Sequence, residues 1–306
     1  MGRITSLLKG KSSKATASPI PVRHMDFGFQ DNKEELYFYD NDPFATSFYA
    51  AFSLVIPKGE HFFIHSVRNY RDAIKDPELK ERIRGFIGQE AIHSREHDAA
   101  NASMEAHGLP RQQVEDRIEQ LLWAIGKLPK PFQLAFTVAL EHYTAIISYD
   151  TISSKERQEK FTGRTREFML WHMMEELEHK SVAYDVFKEQ VGNYFVRAGT
   201  MAPIAVGLFP VFVAIQLYLL QAQGDLTLKN IWKYRKGIAS IYGPKGLISR
   251  ITPAVLDYFR PGFHPNDHDS TAMLEDLKER FFGDEGSLND NLTKVVQPQR
   301  PKTAVA

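Results

Sequence analysis

Gly88-Gln-Glu90-Ala-Ile-His93-Ser-Arg-Glu-His97 and Trp171-His172-Met-Met-Glu-Glu176-Leu-Glu-His179 are the two stretches whose reading decides the fold. Successive residues of an α-helix turn by about 100°, so a Glu and a His three apart sit about 60° from each other on one face. A carboxylate and an imidazole so placed can grip one ion. Each pair also has an acid on the helical stretch before it. Glu60 lies fifteen residues before Lys75, and Glu90 lies thirteen after Pro77. Glu141 lies eleven residues before Ile152, and Glu176 lies twelve after Arg164. With a rise of about 1.5 Å per residue, each acid returns to the level of its partner when the two helices fold back antiparallel.

Working outward, residues 44 to 190 carry a helical pattern almost throughout, and no alternating strand run bounded by turns appears. Periodic stretches run from Glu60 to Ile74, from Pro77 to His107, from Arg111 to Gly126, from Phe132 to Ile152 and from Arg164 to Gln190, with a polar loop at Ser153 to Gly163. The expected fold is all-α: a four-helix bundle with a crossover and a C-terminal helical extension. The expected units are a flexible basic arm at 1–24, a metal-binding bundle at 25–195, a helical extension at 196–285 and a disordered tail at 286–306.

Composition narrows the chemistry. The chain of 306 residues has no Cys, which excludes disulfides, thiolate metal sites, iron–sulfur clusters and a cysteine nucleophile. Its 38 basic residues balance 38 acidic ones, so it lacks the positive field that tracks a phosphate backbone, and nucleic acid is not an expected partner. A metal must then bind through His and carboxylates. Glu141 interrupts an otherwise apolar helix, and Glu90 and His93 follow Ile83, Phe86 and Ile87. Burying that many carboxylates and imidazoles demands cations to offset the charge. His172, four residues before Glu176, is turned by about 40° and faces the same ions, either as a ligand or as a contact to one. His97 is expected beside the ions or facing substrate, and His61 and His142 are expected to point away. Glu175 and Glu178, turned off the face of Glu176, are expected to be solvated or ion-paired.

The repeat of Glu followed by E-x-x-H resembles the ligand set of ferritin-like dinuclear carboxylate proteins, and the H-x-x-x-E-x-x-H run resembles the arylamine N-oxygenase branch of the di-iron proteins. Taken together, Pro21-Val-Arg-His-Met-Asp-Phe27, Phe62-Phe-Ile-His-Ser-Val-Arg68, Ala139-Leu-Glu-His-Tyr-Thr-Ala145, Glu175-Glu-Leu-Glu-His-Lys180 and Tyr258-Phe-Arg-Pro-Gly-Phe-His-Pro265 resemble the bacterial family of predicted metal-dependent hydrolases over about residues 20 to 270. The ferritin-like resemblance implies two divalent cations, iron first with Mn or Zn compatible, held by Glu60, Glu90, His93, Glu141, Glu176 and His179, with His172 as a seventh ligand. Phe63, Ile87, Leu140, Trp171 and Met174 are expected to line a dry cavity around them. The expected activity is O2 activation on a hydrophobic small molecule, with an electron donor as partner. The alternative is the family's hydrolysis through a metal-bound hydroxide.

One further segment stands out. Ala198 to Gly224 holds no charged residue. Its length suits a bilayer, while Pro203, Pro210 and Gln216 argue against a simple span. Membrane contact and a buried helix read equally, with a surface-lying insertion or a homodimer interface on a par with a full crossing, and Lys229, Lys233, Arg235 and Lys236 follow it. The expected location is cytoplasmic, with membrane association through 198–224. His264-Pro-Asn-Asp-His268-Asp269 reads as a solvated polar turn rather than a third ion site.

Overall fold

The computed structural model describes residues 20–31 and 35–298, and these are mostly helical. In chain order the elements are β1 (Val22–Met25), α1 (Pro43–Arg68), α2 (Pro77–Ala106), α3 (Arg111–Ile125), α4 (Lys130–Ile152), α5 (Lys155–Gln158), α6 (Gly163–His179), α7 (Val182–Gln190), α8 (Tyr194–Ala222), α9 (Leu228–Ile231), α10 (Arg235–Tyr242), α11 (Leu247–Asp257), α12 (Thr271–Phe282) and β2 (Leu292–Val296). Single 3-10 turns stand at Phe29–Asp31, Pro265–Asp267 and Asn289–Asn291.

Helix starts follow local chemistry. Asp42 caps α1 by accepting from the amides of Phe44 and Ala45, and Asp76 caps α2 by accepting from Glu78, with a proline next in each case. Helix α1 packs along α2 and α4, α4 along α6, and α2 also meets α6. Phe48, Leu54, Ile83, Phe86, Leu134, Phe168 and Trp171 fill the space between them. Helix α8 lies along α1 and α4, and α11 lies on α4.

The structure departs from the sequence reading in several places. Helix α1 begins at Pro43 rather than Glu60 and carries Pro57 inside it. Proline has no N–H, so the carbonyl of Ser53 loses its helical donor, and the Asn101 side-chain amide donates to it at 3.0 Å instead. The expected helix from Arg164 to Gln190 is two, α6 and α7, parted at Lys180–Ser181, and the loop at 153–163 contains α5. A two-stranded antiparallel sheet is also present, Val22 pairing with Val296 and Met25 with Leu292. Strands this short, far apart in the chain and joined by no turn, leave no local signature. Residues 20–24, read as the end of the arm, are therefore ordered, with Ile20 and Arg23 buried. The tail read as disordered likewise carries β2; the remaining arm and tail positions, 1–19 and 299–306, lie outside the described residues.

Strand β1 seats directly on α2. A Cβ at Gly85 would stand 2.5 Å from the carbonyl oxygen of Ile20, and one at Gly88 2.3 Å from a Val22 methyl. Gly85→Ala is expected to cost about 1–2 kcal/mol in urea unfolding, since overpacking of about 1–3 kcal/mol outweighs the gain in helix propensity. An unchanged midpoint would mean that the strand is not held against the helix.

Candidate metal centre

Glu60 comes from α1, Glu90 and His93 from α2, Glu141 from α4, and His172, Glu176 and His179 from α6, and all are at most 3 % exposed. They converge in the bundle interior as two overlapping groups able to hold a metal, one of Glu60, His93, His172 and Glu176, the other of Glu90, His93, Glu176 and His179. Within each group one ligand atom per residue lies within 4.8 Å of the others. Oε1 of Glu176 is 2.9 Å from His172 Nε2, 3.7 Å from His179 Nε2 and 3.8 Å from His93 Nδ1. Oε1 of Glu60 stands 3.6 Å from His172 Nε2 and 3.7 Å from His93 Nδ1, and Oε1 of Glu90 stands 3.2 Å from His179 Nε2.

Each of the three imidazoles is held from behind by its other nitrogen. His93 Nε2 lies 3.0 Å from Glu175, whose other oxygen accepts from Arg23 at 2.7 Å. His179 Nδ1 lies 3.2 Å from Glu141. His172 Nδ1 lies 2.6 Å from His97 Nε2, and His97 Nδ1 lies 2.8 Å from the Ser53 hydroxyl. Proton bookkeeping sets the direction of this last chain. The Asn101 amide nitrogen donates to the Ser53 carbonyl, so its oxygen takes the Ser53 hydroxyl proton, at 2.7 Å. The hydroxyl oxygen then accepts from His97 Nδ1–H and His97 Nε2 accepts from His172 Nδ1–H, which leaves His172 Nε2, hydrogen-bonded to Glu176 Oε1 at 2.9 Å, as the nitrogen that a cation would take over.

Burial dominates the electrostatics. Burial lifts the carboxyls of Glu60 and Glu90 well above the usual range, with Glu176 adding to it for Glu60 and Glu141 for Glu90. Burial raises Glu141 to about 7 although His179 opposes it. Burial would raise Glu176 too, but His179 and His172 bring it below its ordinary value. His93 and His97 are pushed well below theirs by burial and by neighbouring His172. His179 is raised to about 9 because Glu176 and Glu141 outweigh its burial. In the absence of cations the cluster therefore retains protons on acids that ordinarily lose them.

The donor set fits a divalent cation. Glu60 Oε1, both oxygens of Glu90, His93 Nδ1, Glu141 Oε1, Glu176 Oε2 and His179 Nε2 are buried without a hydrogen-bond partner among the described residues. Unpaired polar atoms buried together are costly unless something accepts their lone pairs. Only oxygen and nitrogen donors are present, a set compatible with Fe, Mn or Zn.

Of the sequence-derived positions, Glu141 lies outside both groups and sits behind His179. Glu175 and Glu178 are ion-paired rather than solvated: Glu175 has 0 % exposure and pairs with Arg23, and Glu178 is enclosed by Arg23, Lys278 and Gln89. Burial opposes the ionisation of Glu178, yet Arg23 and Lys278 pull it down to about 2. His61 is exposed, and His142 is buried with its Nε2–H donating to the Ala254 carbonyl. His264 and His268 pair with Asp185 and Asp257. Phe63, Trp171 and Met174 are buried close by in the core, with Ile87 and Leu140 partly so. Arg23, Ser53 and Asn101 were not legible as parts of the site, since each arrives from an element distant in sequence.

Asn101→Ala is expected to lower metal affinity by about 10–100-fold in a chelator-competition titration, with helix content intact, because the proton order that leaves His172 Nε2 to a cation is lost. Unchanged affinity would show that His172 is oriented some other way.

Comparison with known proteins gives one match: the family model described as a predicted metal-dependent hydrolase covers residues 21–269. No curated protein and no solved structure matches the chain. The matched span takes in both metal-binding groups together with Arg23, Ser53, His97 and Asn101. With most of its length inside that model, the chain belongs to the predicted metal-dependent hydrolase family.

Proposed function

We propose that the chain is a metal-dependent hydrolase whose two overlapping groups hold a pair of divalent cations. The observation that carries the reading is the set of buried carboxylate and imidazole atoms converging without partners. Glu60 and His172 would help hold one ion and Glu90 and His179 the other, with Glu176 and His93 common to both groups. A cation held there would act as a Lewis acid on an ester or phosphoester and acidify a water. The protein's own part is to fix tautomers. Glu175, Glu141 and His97 hold the outer protons of His93, His179 and His172, so the inner nitrogens stay free to bind. Trp171 edge-on to His93 and Phe86 edge-on to His179, both at 5.0 Å, exclude bulk water.

The finer architectural reading is a ferritin-like bundle of α1, α2, α4 and α6, with Glu60 and Glu141 each preceding an E-x-x-H helix. A second chemistry, O2 activation by two irons on a hydrophobic substrate, is favoured by one observation: Glu90, His93 and His179 are 0 % exposed, a dryness that suits redox chemistry.

Anaerobic turnover of a p-nitrophenyl ester or phosphoester separates the two. Hydrolysis without oxygen that is lost on chelation, and falls by about 100-fold or more in Glu176→Ala, is the expected result. An inert chain that consumes O2 when loaded with Fe(II) would overturn hydrolysis in favour of the second chemistry.

A further inference from the structure

A cavity of about 800 Å³ lies between α4, the end of α6, α11 and the turn Pro265–Asp267, a size typical of small-molecule sites. Ala145, Ile146, Leu177 and Ile251 give it apolar walls. Its charges do not cancel. Asp150 takes both arms of Arg250 at 2.8 Å and Arg157 at 3.4 Å, while Asp257 is engaged by Arg260 and His268. Lys180 has no such direct partner: it is 8 % exposed, donates to the His268 carbonyl at 2.5 Å and to Ser270 at 2.9 Å, and among the described residues no carboxylate forms an ion pair with it, Asp269 acting on it only from a longer distance. An ammonium has three N–H donors, so one is left over. A buried cation with no carboxylate in direct contact is costly, and an anion in the cavity would relieve the cost.

We propose that this cavity binds an apolar-bodied anion, a carboxylate or phosphate monoester, with its head on Lys180 and its body against the apolar walls. None of the residues of the two metal groups lines this cavity, although Leu177 and Lys180 directly follow Glu176 and His179, and the test does not depend on metal chemistry. Calorimetry on the full chain, untreated and chelator-treated, would use decanoate, decyl phosphate and decanol as probes. One anion per chain is expected, bound about tenfold more weakly in Lys180→Met, with decanol unaffected; the tighter of the two anions names the head group. Ala145→Phe, which fills the cavity, is expected to abolish binding with helix content unchanged. Equal binding of decanoate and decanol, or an anion affinity indifferent to both substitutions, would overturn the site.

The outer face of α8 carries a separate observation. Phe195 is 81 % exposed, Val206 77 %, and Val211, Leu217 and Tyr218 41 % each. These side chains form a continuous apolar stripe on a helix whose other face packs on α1 and α4. Gln216, the polar residue on the inner side, is satisfied by the Phe44 carbonyl and the Tyr242 hydroxyl. Residues 226–256 hold six Lys or Arg and no acid in a chain of zero net charge. Lys229, Lys233, Arg235, Lys236 and Lys245 are exposed, and so is Trp232 at 74 %. Pro203 and Pro210 leave the carbonyls of Gly199 and Val206 without helical donors, which is tolerable among headgroups and costly at bilayer depth.

We infer that α8 and the basic segment after it dock in the plane of an anionic lipid surface without crossing it. Cosedimentation with phosphatidylcholine vesicles, with and without phosphatidylserine, reads this directly. Binding to the anionic vesicles alone, weakened by salt and reduced about a hundredfold by Lys229→Glu/Lys233→Glu/Lys236→Glu, is expected. Val206→Asp should also release the protein. A stable dimer in ultracentrifugation that ignores both vesicles would overturn the inference, making the stripe a surface between two copies of the chain.

Discussion

Crowding of like charge in a dry interior is the constraint on which the rest of the structure depends. Glu60, Glu90, Glu141 and Glu176 are carried by four helices into a volume from which water is excluded. Acids so placed either keep protons or share cations, and burial raises three of the four accordingly. A hydrophobic core of the same volume would be easier to build, so the arrangement makes sense as a binding site rather than as a source of stability.

The surrounding layers of protein serve that site by fixing protons. Arg23 reaches in from β1, steadies Glu175, and through it the outer nitrogen of His93. Pro57 acts from α1 in a less direct way. By withholding an N–H it frees the Ser53 carbonyl, which draws in Asn101, which in turn claims the Ser53 hydroxyl proton. A residue usually described as a helix breaker thus sets the tautomer of His172 two hydrogen bonds further on.

The helical class and the convergence of the acids were legible because helical periodicity is local: the spacing of Glu90 to His93 and of Glu176 to His179 is set by one turn. What escaped was non-local. Glu175 lies about 100° from Glu176 around α6, which left it solvated or ion-paired, and its partner Arg23 comes from β1, a strand with no turn or alternation to announce it. The helical stretch read from Glu60 runs back through Pro57, whose missing donor is visible in sequence, whereas the Asn101 side chain that compensates is not. The division of Arg164 to Gln190 at Lys180 left no Gly or Pro to mark it.

The pairing of β1 with β2 also imposes an order in time. Val22 is among the first described residues to leave the ribosome, and its partner Val296 is among the last. Until that late segment emerges, the strand bearing Arg23 has no neighbour to hold it, and the support behind His93 is incomplete. The four principal helices can gather during synthesis, but the finished centre waits for the segment that carries β2.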